Sequence, residues 1–74
     1  MREIMRTNDI VVLSFAENVL RQTGIEPIVM DANMSVMEGS IGMFPRRLMV
    51  ADDDEARARR ALRDADLTEW LISP

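Results

Sequence analysis

Cysteine, histidine, lysine and tyrosine are all absent from this 74-residue chain. Without cysteine no disulfide can form, and nothing hints at secretion. Without histidine the chain lacks the commonest transition-metal ligand and the commonest acid–base group that titrates near neutral pH. A serine nucleophile needs an adjacent base, and Glu38 near Ser40 is the only local candidate. We therefore expect no enzyme activity, no metal site and no cofactor.

Positive charge is also scarce. Nine basic residues, all of them arginine, stand against 13 acidic ones, which gives a net charge of −4. Nucleic acids bind most strongly to proteins with a concentrated basic face, so we do not expect this acidic domain to bind them. No apolar run approaches the ~20 residues of a membrane-spanning helix, and the N-terminus lacks the apolar core of a signal peptide. These absences predict a cytoplasmic protein that binds neither nucleic acid nor membrane.

The apolar residues that are present suffice for one small folded domain, which we expect to span residues 1–74. They make up 47% of the chain, too many for a disordered segment. A domain of this size buries only roughly 60% of its unfolded surface, so its core is marginal. Self-association is the common way to add stability that remains once disulfides and metals are set aside.

The first part of the chain has a strand–helix–strand pattern. Residues 3–7 alternate as in a short strand, which places Ile4 on one face and Met5 on the other. Apolar residues at helical spacing predict a helix over 10–23. A second strand covers 28–30, directly after a proline that cannot continue a helix.

The signals at both ends of the first helix are clear. Asn8 and Asp9 are good N-cap residues. Gly24 ends the helix in the left-handed conformation, and Ile25 is placed to fold back on Leu20 as in a Schellman motif. The predicted apolar stripe comprises Val12, Leu13, Phe15, Ala16, Val19 and Leu20.

Residues 46–51 predict a third strand, and acidic residues then open a second helix. Asp52 and Glu55 have the spacing of a capping box. Helix capping accounts for this acidic run better than a Ca²⁺ or Mg²⁺ site, because the spacing fits no EF-hand loop. Two ion pairs at i,i+4 spacing are expected along the helix. They are Asp53–Arg57 and Glu55–Arg59.

This β-α-β-β-α order predicts an α+β, ferredoxin-like sandwich with two helices on one face of an antiparallel sheet. Residues 67–72 form either a short fourth edge strand or a helical cap. The helix-covered face should bury Ile4, Ile28 or Met30, Leu48 and Val50. The opposite face should present Met5, Val29 and Met49. Such an open apolar face needs a cover, supplied either by the tail around Trp70 or by a second copy in a homodimer.

Residues 31–45, between the second and third strands, are too long and too apolar for an ordinary turn. Connections longer than ~12–15 residues are uncommon in compact domains and are usually functional or disordered. Six large apolar side chains in this stretch argue against plain disorder. They either fold back to complete a thin core or form a contact surface whose flexible methionines fit a partner groove.

The same stretch also offers an anion site as an alternative. Gly39, Ser40 and Gly42 let backbone N–H groups converge, and Arg46 and Arg47 suit a carboxylate or a phosphate. The competing interpretation is a glycine turn followed by a solvated pair of arginines. Because no G-x-x-x-x-G-K motif or helix start follows, the turn is favoured.

Several segments taken together resemble a known family. They are Asn8-Asp9, Gly24-Ile25, the run MSVMEGSIG at 34–42 and the run PRRLMVADD at 45–53. The family is the small bacterial group called putative prokaryotic signal-transducing proteins, and the resemblance covers nearly the whole chain. It implies a ferredoxin-like fold similar to that of the PII nitrogen-signalling proteins. A signalling role suggested by that fold similarity is an association rather than a mechanism.

PII proteins contact partners through the long connection between their second and third strands, the place that residues 31–45 occupy here. This chain is shorter, has no lysine and has no recognisable nucleotide-phosphate motif, so ATP or 2-oxoglutarate binding is not carried over. We expect a small regulatory or protein-interaction module that contacts an unidentified protein through residues 34–47. The alternative is a sensor of a small anionic metabolite. The expected partner-binding residues are Met34, Val36, Met37, Glu38, Ile41, Met43, Phe44, Arg46 and Arg47.

Overall fold

The computed structural model describes residues 1–31 and 45–72. The elements are, in chain order, strand β1 (Arg2–Thr7), helix α1 (Ile10–Gln22), strand β2 (Ile28–Asp31), strand β3 (Arg46–Val50) and helix α2 (Glu55–Asp64). Short 3-10 turns at Asp52–Asp54 and Thr68–Trp70 precede and follow α2. The predicted β-α-β-β-α order is confirmed.

The three strands form one antiparallel sheet in the order β1-β3-β2. At the outer edge of β1, Leu71 forms an antiparallel bridge with Met5, and the Ile72 N–H donates to the Ile4 carbonyl at 3.0 Å. The tail therefore makes a helical turn first and a strand-like contact afterwards, so each predicted alternative holds in part. Strand order and helix placement are those of a ferredoxin-like α+β fold.

Helix α1 begins and ends as its sequence predicts. The Asp9 carboxylate accepts from the N–H groups of Val11 and Val12, so Asp9 rather than Asn8 is the N-cap. Gly24 has φ +88°. The Gly24 N–H donates to the Arg21 carbonyl, and the Ile25 N–H donates to the Leu20 carbonyl at 2.9 Å. This pair of bonds is a Schellman motif, and the apolar contact that accompanies such motifs is buried here.

Helix α2 begins differently from the prediction. Asp52–Asp54 is a 3-10 turn, and no side chain caps it. Asp52 does not act in a capping box because its carboxylate pairs with the Met1 ammonium at 2.8 Å. The expected Glu55–Arg59 pair is present at 3.0 Å. The other expected pair is wrong by one position, since Arg57 binds Asp54 at 3.1 Å.

Helix α2 ends in a second Schellman motif, which lacks the usual glycine. Asp66 takes the left-handed position with φ +66°. Its N–H donates to the Arg63 carbonyl, and the Leu67 N–H donates to the Leu62 carbonyl at 2.9 Å. Leu62 and Leu67 are both buried, so the apolar contact that accompanies this motif forms without glycine.

A β-bulge in β1 overturns the predicted faces of that strand. The register moves from Glu3 opposite Met49 to Met5 opposite Leu48, so Ile4 is an extra residue. Met5 consequently shares the helix-covered face with Leu48 and is fully buried, as is Ile4. The expectation that Met5 lies on the open face was wrong, because strict alternation does not allow for an inserted residue.

Strand β2 is also turned over relative to the prediction. Val29 lies opposite Leu48, whereas Ile28 lies opposite Met49 and Met30 lies opposite Arg47. Val29 therefore packs on the core, and Ile28 and Met30 are 44% and 41% exposed. All three residues are apolar, so the sequence does not show which of them face the core. The pairing register with β3 decides which side chains point toward the helices.

The core lies between the sheet and the two helices. Its buried apolar members are Ile4, Met5, Leu13, Ala16, Leu20, Ile25, Leu48, Val50, Ala58, Leu62 and Leu67. Trp70 and Leu71 pack against this core, so the tail closes the helix side of the domain. Among the helices that the structure describes, each is too short or too polar to cross a bilayer.

Candidate functional site

Two of the expected partner-binding residues lie within the described chain, at the start of β3. Arg46 and Arg47 are both partly buried and stand opposite Thr7 and Arg6 of β1. The remaining predicted site residues lie outside the described residues. They are Met34, Val36, Met37, Glu38, Gly39, Ser40, Ile41, Gly42, Met43 and Phe44.

The side of the sheet away from the helices, here called the open face, carries six side chains of the described residues in two rows. The Glu3 row runs across the strands as Ile28, Met49 and Glu3. The Arg6 row runs beside it as Met30, Arg47 and Arg6. The β2 side of this face is therefore apolar and the β1 side is charged. The placement of Met49 on this face, predicted from the sequence, is confirmed.

An ion pair dominates the charged side of the open face. Arg6 donates from Nε and Nη2 to the two carboxylate oxygens of Glu3, at 2.6 and 3.0 Å. This hydrogen bonding, assisted by the charges of Arg6 and Arg47, lowers the pKa of Glu3 against the opposing effect of desolvation. The Arg47 Nε is buried and has no hydrogen-bond partner among the described residues. Arg47 is thus the described site residue with unused hydrogen-bonding capacity.

A second surface, here called the α1 patch, was missed by the sequence prediction. It comprises Ile10, Val11 and Phe15, which are 59%, 78% and 48% exposed. Phe15 was expected in the buried stripe, but the buried residues of α1 are Leu13, Ala16 and Leu20. The four-residue spacing of Val11 and Phe15 was the available signal, because residues four apart share one side of a helix.

The α1 patch begins at the end of the sheet where β2 and β3 are connected, here called the loop end. Thr7 and Asp31 both lie opposite Arg46 at this end. Helix α1 begins at Ile10, three residues after Thr7. Topology therefore brings the α1 patch, Arg46 and the two ends of the β2–β3 connection together. Exposed apolar clusters of this kind mark interaction sites more often than isolated exposed residues do.

An open groove lies between the two helices, on the side away from the sheet. Its lining residues are Val19, Gln22, Thr23, Arg57, Arg60, Ala61 and Asp64. Arg57 is already paired with Asp54, and Asp64 adds a negative charge to the rim. The groove thus lacks the concentrated charge of one sign that binds a small anion or cation.

Three of the four acidic residues at the start of α2 form ion pairs within the chain. Asp52 pairs with the N-terminal ammonium, Glu55 with Arg2 and Arg59, and Asp54 with Arg57. Among the described residues no group of three or more metal-ligating side chains is positioned to hold an ion. The contacts assign these carboxylates to tying the N-terminus and α2 together.

Fold and surface together define a small ferredoxin-like domain whose described residues form an open face away from the helices and an exposed apolar patch that begins at the loop end. A family model described as "Putative prokaryotic signal transducing protein" matches residues 1–66. The chain belongs to this family, which confirms the resemblance drawn from its sequence segments. A search of curated proteins found no match.

Proposed function

We propose that the protein is a small cytoplasmic regulatory module that works by binding a protein partner rather than by catalysis. The contact surface comprises residues 34–47 together with the α1 patch at the same end of the sheet. The observation that carries the proposal is the exposure of Ile10, Val11 and Phe15 beside the ends of the β2–β3 connection. The family description, a signal-transducing protein, agrees with a binding role.

Energetics favour this surface over the others as a docking site. Burying a large apolar side chain contributes about 1.5–3 kcal/mol, so the α1 patch can supply much of a moderate affinity. Interface cores favour apolar and aromatic side chains together with arginine, and Phe15, Arg46 and Arg47 provide that mixture. The arginines suit a carboxylate of the partner, which fixes the orientation of docking.

The test is affinity capture with paired variants. Met37→Ser with Ile41→Ser changes the predicted contact residues, and Val11→Ser with Phe15→Ser changes the α1 patch. Both double variants should lose a protein that the wild-type chain captures. The matched control is Asp53→Ser, an exposed change in the turn that follows the end of β3 at Val50, at the opposite end of the sheet. It should capture the same protein as the wild type.

Thermal unfolding separates docking from packing. If residues 34–47 and the α1 patch are contact surfaces, both double variants should melt within a few degrees of the wild-type chain. A collapse of stability in the Met37→Ser, Ile41→Ser variant would assign those side chains to the core and contradict the proposal. Retained capture by either double variant would contradict it as well.

A second candidate function is a sensor for a small anionic metabolite, and one observation favours it. The buried Arg47 Nε has no partner among the described residues, and a ligand carboxylate or phosphate would satisfy it. Nucleotides and organic acids titrated against the isotope-labelled protein should then shift NMR signals confined to residues 39–47. A flat response across the panel would dismiss this candidate.

A further inference from the structure

We propose that two copies of this chain associate through the open face, with a two-fold axis that runs perpendicular to the strands. The observation behind this arrangement is the order of side chains in the two rows. Each row has an apolar residue on β2, a residue of β3 in the middle, and a charged residue on β1. The charges at the β1 ends are opposite, Glu3 in one row and Arg6 in the other.

A two-fold axis in this direction exchanges the two rows. It lies between the sheets, crosses β3 at the level of Leu48, and sets each strand over the same strand of the second copy. The Glu3 row of one copy then faces the Arg6 row of the other. Ile28 meets Met30, Met49 meets Arg47, and Glu3 meets Arg6. Every contact occurs twice, as a two-fold interface requires.

The other direction for a two-fold axis, parallel to the strands, gives a poor fit. It sets β1 of one copy over β2 of the other, so the Glu3–Arg6 pair would be buried against Ile28 and Met30. It also sets Arg47 against Arg47 of the second copy, whereas the perpendicular axis sets Arg47 against Met49. Charged groups desolvated against apolar side chains without added partners are costly. Charge complementarity therefore favours the perpendicular axis. It also indicates that a second copy of this chain binds the open face.

The size of the open face sets the expected affinity. Three strands about 4.8 Å apart, with four residues rising about 3.3 Å each, cover a patch roughly 14 by 13 Å. Stable dimers bury about 800 Å² per partner, several times this projected area. We therefore expect a weak, reversible dimer that forms between micromolar and millimolar protein. This association is separate from the α1 patch and shares only Arg47 with the proposed contact surface at 34–47, so it does not depend on the proposed function.

Charge reversal tests the arrangement. Glu3→Arg alone sets arginine against Arg6 of the second copy, and Arg6→Glu alone sets glutamate against Glu3, so each single variant should lose self-association in sedimentation experiments. An equimolar mixture of the two should associate, because each contact then joins opposite charges. The double variant, carrying both changes, should associate alone for the same reason.

The matched control reverses the exposed Glu17–Arg21 pair of α1, whose side chains lie 3.5 Å apart. Glu17→Arg and Arg21→Glu should each self-associate like the wild type, and mixing them should add nothing. A gain on mixing this control pair would show that attraction between the exchanged charged side chains needs no open face, which would overturn the assignment.

Circular dichroism should show that every variant is folded, because exposed ion pairs contribute little to stability. A second measurement needs no variant at all. In a mixed sample of labelled and unlabelled wild-type chains, intermolecular NOEs should join the methyl groups of Ile28 and Met30. Monomeric mass up to millimolar concentration, or a dimer that persists in both single variants, would overturn the proposal.

Discussion

The two helices end in the same hydrogen-bonding motif but with different residues at the position that needs positive φ. Gly24 occupies it after α1, at φ +88°, and Asp66 occupies it after α2, at φ +66°. Left-handed backbone costs an L residue roughly 1–2 kcal/mol, although aspartate tolerates it better than most. Replacing Asp66 with glycine should therefore remove strain from the native state.

The magnitude follows from two opposing effects. Relief of the left-handed strain favours Asp66→Gly, while the greater freedom of glycine in the unfolded chain opposes it by roughly 0.5–1 kcal/mol. Asp66 is exposed, and among the described residues its carboxylate has no hydrogen-bond partner to lose. We expect a net gain of about 0.5–1 kcal/mol, which raises the Tm of a domain this small by about 2–8 °C.

The reverse change at the equivalent position is the matched experiment. A Cβ on Gly24 would meet no atom within 4 Å, so Gly24→Ala should destabilise through backbone strain alone, by about 1 kcal/mol. Asp66→Asn is the control for charge, because asparagine tolerates the same conformation. Its removal of a negative charge from the C-terminal end of α2 should change stability by only a few tenths of a kcal/mol.

Urea unfolding followed by circular dichroism measures all three variants with one protocol. Changes of opposite sign in the free energy of unfolding for Asp66→Gly and Gly24→Ala would support the assignment of a Schellman motif to the end of each helix. A destabilising Asp66→Gly would refute it, because the Asp66 carboxylate would then have to make a stabilising contact greater than the strain it imposes. An Asp66→Asn effect as large as that of Asp66→Gly would instead point to charge rather than conformation.

Three further predictions follow from individual contacts. Met5→Ala should lower the free energy of unfolding in urea by about 2–5 kcal/mol, because Met5 is fully buried. Met30→Ala, at an exposed position, should change it by no more than about 0.5 kcal/mol. Equal losses for the two variants would contradict the bulged register. Asp9→Ala removes the N-cap hydrogen bonds of α1 and should lower the free energy of unfolding, measured in the same way, by about 1 kcal/mol. An unchanged stability would show that Asp9 does not act as a stabilising N-cap. Because Arg6 lowers the pKa of Glu3, the ion pair stabilises the fold at pH values above the usual carboxylate pKa, and this stabilisation is lost as the pH falls through the lowered pKa. Arg6→Ala should raise the pKa of Glu3 in an NMR titration. An unchanged pKa would contradict the ion pair.

The elements and their order were predictable because each is marked by local chemistry. Asp9 and Gly24 specify the two ends of α1 through their own backbone and side-chain preferences. The apolar segments that become strands are short and bounded by proline or polar residues. These signals act over a few residues, so a single sequence contains them in full, and the β-α-β-β-α order follows from them.

The faces of the strands were not predictable because register is a property of pairs. The extra residue at Ile4 turns Met5 toward the helices, and no local signal announces the bulge. Ile28, Val29 and Met30 are all apolar, so only pairing with β3 decides which of them is buried. Met49 was placed correctly because β3 itself is regular.

The candidate surface was predictable in part. The rest of the chain lacks the residue types and motifs of a catalytic or metal site, so residues 31–47 were the predicted contact region. Arg46 and Arg47 of that region begin β3. The contribution of α1 was missed because an apolar residue on a helix was assumed to be buried. Val11 and Phe15 lie four residues apart but outside the stripe of Leu13, Ala16 and Leu20, so their spacing indicated a second apolar side of the helix.

Photo-crosslinking tests the central claim, that a protein partner is contacted at the loop end of the domain, most directly. A benzophenone amino acid placed at position 15 within the α1 patch should crosslink a discrete protein in living cells. The same probe at position 53, at the opposite end of the sheet, should not. Excess unlabelled wild-type chain should suppress the crosslink. Identical crosslinks from both positions, or none from position 15, would contradict the claim.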